Sequence, residues 1–118
     1  MAYKKSYGNN HHRPPPPTCL MEITLLREKT IEHQLVIAAK AIGGIAPKLV
    51  SPGFDGMPDR MVLLPGGRIG FVEVKAPGKV PRPLQVARHR LLSQLGFKVF
   101  TLDAQEQIGG ILDAIQAP

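Results

Sequence analysis

Ile69-Gly70-Phe71-Val72-Glu73-Val74-Lys75 is apolar and β-branched along its length and then closes on an acid and a base two residues apart. That content predicts a β-strand, whose period of two turns Glu73 and Lys75 to the same face. Burying either charge without a partner costs several kcal/mol, so a buried strand that ends this way needs a reason. Fourteen residues before Glu73 stands Asp59, in Gly56-Met57-Pro58-Asp59, and ten residues after Lys75 stands Gln85. Two acids, a lysine and an amide in that order are what a metal-dependent phosphodiesterase needs.

Outward from this strand, hydrophobic spacing lays out the remaining elements. From about Glu28 to Ile42 the residues Ile31, Leu35, Ala38, Ala39 and Ile42 recur at threes and fours, which predicts an amphipathic helix stopped by Gly43-Gly44, with Glu32 on the border of the stripe. Ile45 to Val50 reads as a strand, Ser51 to Met57 as a glycine-rich loop carrying Phe54, and Arg60 to Leu64 as a second strand. A hairpin turn at Pro65-Gly66-Gly67-Arg68 leads into Ile69–Lys75, and these three strands are expected to be antiparallel neighbours. A second helix is predicted from Pro83 to Leu95, with proline at its first position. Its expected core face is Leu84, Ala87, Leu91, Leu92 and Leu95, with Gln85, Arg88 and His89 off it. Phe97 to Leu102 makes a fourth strand and Ala104 to Ile115 a last helix. The fold class is α/β, an α+β arrangement on a mixed sheet in the order α-β-β-β-α-β-α.

Length and charge bound what such a chain does. With 118 residues it is expected to be one domain, residues 19–118, behind a basic, proline-rich tail, residues 1–18. Fifteen Lys and Arg against nine Asp and Glu give a net charge of +6, which favours an anionic partner. Between Lys75 and Arg90 there are five cations and no acid, a stretch suited to a phosphate backbone held beside a metal. The lone Cys19 excludes an intramolecular disulfide and a cysteine zinc cage, and His11-His12 lacks the spacing of a formed metal site. No signal-length or membrane-length apolar run is present, so the expectation is a soluble, cytoplasmic protein.

The chemistry follows from residue type. Asp59 and Glu73 are the expected ligands of a divalent cation, with the Val74 backbone carbonyl as a further oxygen, and hard oxygen donors favour Mg²⁺ or Mn²⁺ over zinc. Lys75 would orient the attacking water or stabilise charge on the pentacovalent phosphorus. Glu32 would add a water-mediated metal contact, and Gln85 with Arg88 would hold the scissile phosphate or Lys75. Lys79, Arg82 and Arg88 are the expected DNA-binding cations, and Phe54 either stacks on a base or folds back on the core. Each piece alone is common: Glu-X-Lys on an exposed edge strand, Pro-Asp as turn chemistry. The ordered combination carries the argument.

Glu32, Gly56-X-Pro58-Asp59, Glu73-Val74-Lys75, Pro77-Gly78 and Gln85, followed by Leu91, Leu92 and Gly96, together resemble the virus-type replication-repair nuclease (VRR-NUC) domain of the PD-(D/E)XK nuclease superfamily. The resemblance spans roughly residues 28–103 and implies a restriction-endonuclease-like core, Mg²⁺ or Mn²⁺ dependence and DNA cleavage. By family role it makes Asp59 and Glu73 the metal-binding acids, Lys75 the motif lysine, Glu32 the first-helix acid and Gln85 the glutamine after the lysine. The loop Lys79-Val80-Pro81-Arg82-Pro83 is more proline-rich than the family pattern. Stand-alone, virus-encoded members resemble homodimeric junction resolvases, which makes Holliday-junction cleavage by a homodimer the expected activity on branched DNA. The alternatives are a flap or duplex nuclease of the same fold and a basic DNA-binding accessory protein that does not cleave. The apolar face of the last helix, Ile108, Ile111, Leu112 and Ile115, is a dimer interface only where the monomer core does not need it.

Overall fold

In a computed structural model that describes residues 20–118, the strand that carries Glu73 lies at the centre of the sheet. The elements are helix α1 (Leu20–Ala41), strands β1 (Arg60–Leu64) and β2 (Arg68–Val74), helix α2 (Pro83–Gln94), strand β3 (Lys98–Leu102), a 3₁₀ turn (Gln105–Gln107) and helix α3 (Ile108–Gln116). The segment 1–18, with His11 and His12, and Cys19 lie outside the described residues. The sheet is mixed, in the order β1-β2-β3: Arg60–Leu64 runs antiparallel to Val72–Arg68, and Gly70–Val74 runs parallel to Lys98–Leu102.

The expected strand over residues 45–50 is replaced by two isolated antiparallel bridges, Ile45 to Leu63 and Lys48 to Arg60. The segment still lies along β1: Ile45 and Leu63 exchange both backbone bonds at 2.9 Å, and the Met61 N–H donates to the Pro47 carbonyl at 3.1 Å. Pro47 has no N–H to return, so a continuous ladder cannot form there. Helix α1 begins eight residues earlier than its apolar stripe predicts. Leu20–Arg27 is rich in good helix formers, and Leu20, Met21, Leu25 and Leu26 are exposed, so propensity rather than burial carries these two turns. Ile31, Leu35 and Ala39 are buried as expected, whereas Ile42 falls past the helix end and is exposed.

The two faces of β2 do different work. On one, Val72 and Val74 meet α1 and α3 in a core completed by Val62, Leu64, Leu102, Ile108, Ile111, Leu112 and Ile115. Ile108, Ile111, Leu112 and Ile115 are all buried in this core, so the large apolar face of the last helix is spent on capping the sheet. On the other face, Phe71 packs edge-to-face on Phe97 with ring centroids 5.6 Å apart, and Glu73 points toward α2.

Candidate active site

Helix α2 turns a face to the sheet that differs from the apolar stripe. Leu84, Leu91 and Leu95 are exposed, while Gln85 and Leu92 are buried and the His89 side chain is only 15% exposed. Gln85, His89 and Leu92 lie four and three apart, so they form one helical stripe that is polar at its N-terminal end. Both ends of the Gln85 amide are committed. Its Oε1 accepts the Arg82 N–H at 2.8 Å, which caps the helix start, and its Nε2 donates to Glu73 Oε2 at 2.8 Å. A flipped amide would break both bonds, which fixes its orientation.

Glu73 is 1% exposed in the middle of the sheet. Its Oε2 takes the Gln85 amide and faces Lys75 Nζ at 3.4 Å, while its Oε1 is buried with no hydrogen-bond partner. Burial, and next the nearby charge of Asp59, push the Glu73 carboxyl up to about 7 against the opposing pull of Lys75. Asp59 is fixed from the strand itself, because its Oδ2 accepts the Val74 N–H at 2.8 Å. The two acids, fourteen residues apart in sequence, are therefore tied to consecutive residues of β2.

The loop before Asp59 is shaped for this approach. Gly56 takes a φ of +89°, and a Cβ there would lie 2.8 Å from Leu84 Cγ, so α2 and the loop meet where only glycine fits. Arg88 ties the same loop down: its Nε donates to the Asp55 carbonyl at 2.8 Å and its guanidinium lies 3.9 Å over the Phe54 ring. Phe54 thus neither folds into the core nor stands free. Arg88 is a loop clamp in this structure, whereas Lys79, in the loop before α2, and Arg82, at the helix N-cap, are exposed.

The α1 acids divide the work differently from expectation. Glu32 Oε2 accepts Arg60 Nε at 2.8 Å, and Arg60 Nη1 donates to the Ala46 carbonyl at 2.9 Å. Glu32 therefore braces the residue next to Asp59. Glu28, one turn earlier, is the helix acid whose carboxyl is raised, first by burial and then by Asp59. Both line a cleft of about 410 Å³ with Lys29, Lys48 and Asp59. Its spacing of four from Glu32 is the sequence signal that marks Glu28.

The other residue missed from the sequence is His89. Its Nε2 is buried without a hydrogen-bond partner and lies 3.9 Å from the equally unpartnered Glu73 Oε1. Burial lowers its pKa, which favours the neutral ring. Among the described residues no three His, Cys, Asp or Glu side chains stand together as a group that could hold a metal ion by themselves. The donors here instead fit a cation held at an open site: a buried anionic oxygen is left unpaired beside a second carboxylate, and adjacent charge of that sign is what a divalent ion offsets.

The chain is 52% identical over 91 residues, 77% of its length and 97% of the relative's, to a protein named "Putative nuclease p44" from Acyrthosiphon pisum secondary endosymbiont phage 1. It is also similar to a solved structure described as a VRR_NUC domain, with a TM-score of 0.69 and 31% identity over 74% of this chain and 95% of that one. No family model matches the chain.

Proposed function

Since the chain belongs to the virus-type replication-repair nuclease family, we propose that it is a divalent-metal-dependent DNA endonuclease that acts on branched DNA as a homodimer, with a Holliday junction as its substrate. The observation that carries the metal-dependent reading is the unpaired, buried Glu73 Oε1 beside Asp59, two residues from Lys75 on the central strand. Asp59, Glu73 and the Val74 carbonyl would hold Mg²⁺ or Mn²⁺. When bound, such an ion lowers the pKa of water, polarises the phosphoryl oxygen and stabilises the leaving oxygen.

The remaining work falls to the chain's own groups. Gln85 fixes Glu73 by its Oε2, which leaves Oε1 free for the cation. Lys75, 3.4 Å from the same Oε2, orients the attacking water and offsets the negative charge that grows on the phosphorus. Glu32 keeps Asp59 in register through Arg60. Lys79 and Arg82 lie exposed just ahead of α2, where they meet the DNA backbone, and Arg88 supports the loop that DNA passes.

The test is incubation of the full chain with labelled four-way junction, flap and linear duplex, in Mg²⁺, in Mn²⁺ and in EDTA, beside Glu73→Ala. Symmetric nicks in the junction that need metal and vanish in the variant are the expected result. Cleavage confined to flap or duplex would keep the active site and replace the substrate. Binding without cleavage of any of the three would overturn the nuclease mechanism in favour of an accessory DNA-binding role.

A further inference from the structure

Glu73 Oε1 and His89 Nε2 are two buried polar atoms, from a strand and a facing helix, that have no hydrogen-bond partner and face each other at 3.9 Å. The separation is too long for a hydrogen bond. Two adjacent donors on one octahedral ion, each bonded at about 2.1 Å, stand about 3.0 Å apart, so the imidazole and the carboxylate would close by roughly 1 Å on an ion that enters between them. Leaving both groups desolvated and unpaired costs free energy in a core that otherwise pairs its polar atoms, down to the double use of the Gln85 amide. The other Glu73 oxygen is already taken by Gln85 and Lys75, so a cation held by Glu73 meets the oxygen that looks at the imidazole.

From this we infer that His89 is a nitrogen ligand of the catalytic cation, facing Glu73 Oε1, and that it biases the site toward Mn²⁺ over Mg²⁺. The inference rests on the metal-dependent reading above and adds a donor that the carboxylate pair and lysine do not include. Mg²⁺ is a hard ion served by oxygen, whereas an imidazole adds more to the binding of a first-row transition ion. Helix α2 has the right construction for this. Gln85 anchors its first turn to Glu73 Oε2, and His89, one turn on, comes over Oε1 of the same carboxylate.

The test is pulsed electron paramagnetic resonance of Mn²⁺ bound to the full chain, in a His11→Ala/His12→Ala background so that those two imidazoles cannot supply the signal. Imidazole ¹⁴N modulation is expected, replaced by the ¹⁵N pattern on histidine labelling and lost in His89→Gln while Mn²⁺ stays bound. Isothermal titration should show Mn²⁺ affinity falling about tenfold or more in His89→Gln, with a smaller change for Mg²⁺. Bound Mn²⁺ without nitrogen modulation, or modulation that survives His89→Gln, would overturn the inference. In that case loss of Mn²⁺ binding in Asp59→Ala would leave the nuclease site standing. Failure of the wild-type chain to bind Mn²⁺ at all would overturn the inference, and the metal-dependent reading would then rest on cleavage supported by Mg²⁺ alone. His33 also remains in that background, so His33→Ala is read beside His89→Gln, and modulation lost in His33→Ala overturns the inference even where His89→Gln folds poorly.

Discussion

Glu73 is the residue on which stability and function pull in opposite directions. Its carboxyl ionises near its ordinary 4.5 in the unfolded chain but near 7 in the fold, so between those values the native state holds a proton that the unfolded state has released. Stability from this group is full below about 4.5 and is lost as pH rises through about 7. In EDTA, Glu73→Gln should therefore raise the melting temperature at pH 8 and leave it nearly unchanged at pH 4.5. The gain has a ceiling of about 3 kcal/mol, because Lys75 loses its partner at the same time. Thermal melts of both proteins across that range check it, and equal melting temperatures at pH 8 would contradict the unpaired Oε1. The same substitution, like Asp59→Asn, should cut cleavage by about 10²–10³-fold or more at saturating metal, measured under single-turnover conditions. Glu32 is a different case, since its carboxylate is spent on Arg60. Glu32→Ala should cost about 1–3 kcal/mol in denaturant titration, with Mn²⁺ still bound at the Asp59–Glu73 site.

Among the elements, β2 and α3 are matched most closely. A Cβ on Gly70 would lie 2.5 Å from both Cγ1 and Cδ1 of Ile115, so the glycine in the middle of the strand is a seat for the last helix. Gly70→Ala should destabilise by about 1–3 kcal/mol through overpacking, and Ile115→Val should recover part of that loss in the double variant. Additive losses in a denaturant double-mutant cycle would count against direct contact. Strand β2 and helices α1 and α3 were legible because their buried residues follow a period of two or of threes and fours. The inward face of α2 was not legible, since its apolar residues Leu84, Leu91 and Leu95 lie outward and the face against the sheet carries Gln85 and His89. Hydrophobic spacing locates a face by what water rejects, and a face that serves a carboxylate is polar.

At the scale of the whole molecule, the chain presents exposed cations around a site whose acids are partly or wholly buried, and among the described residues no helix is long and apolar enough to cross a membrane. If the homodimer forms, sedimentation equilibrium should return twice 12.8 kDa at micromolar concentration, and the apolar core of α3 should not be its interface. A monomer mass with junction cleavage intact would remove the paired-site geometry from the proposal. The sequence by itself determined the order of elements apart from the expected strand over 45–50, and the order of Asp59, Glu73 and Lys75, because these are written in local periodicity or fixed spacing; the family came from the resemblance that the ordered motif carries. Only the tertiary structure decided that β2 and β3 run parallel, that Pro47 reduces a strand to two bridges, that Glu32 serves Arg60 while Glu28 feels Asp59, and that His89 faces Glu73. Those outcomes depend on which surfaces meet across distant parts of the chain, and a local pattern holds no record of the partner that satisfies a buried charge.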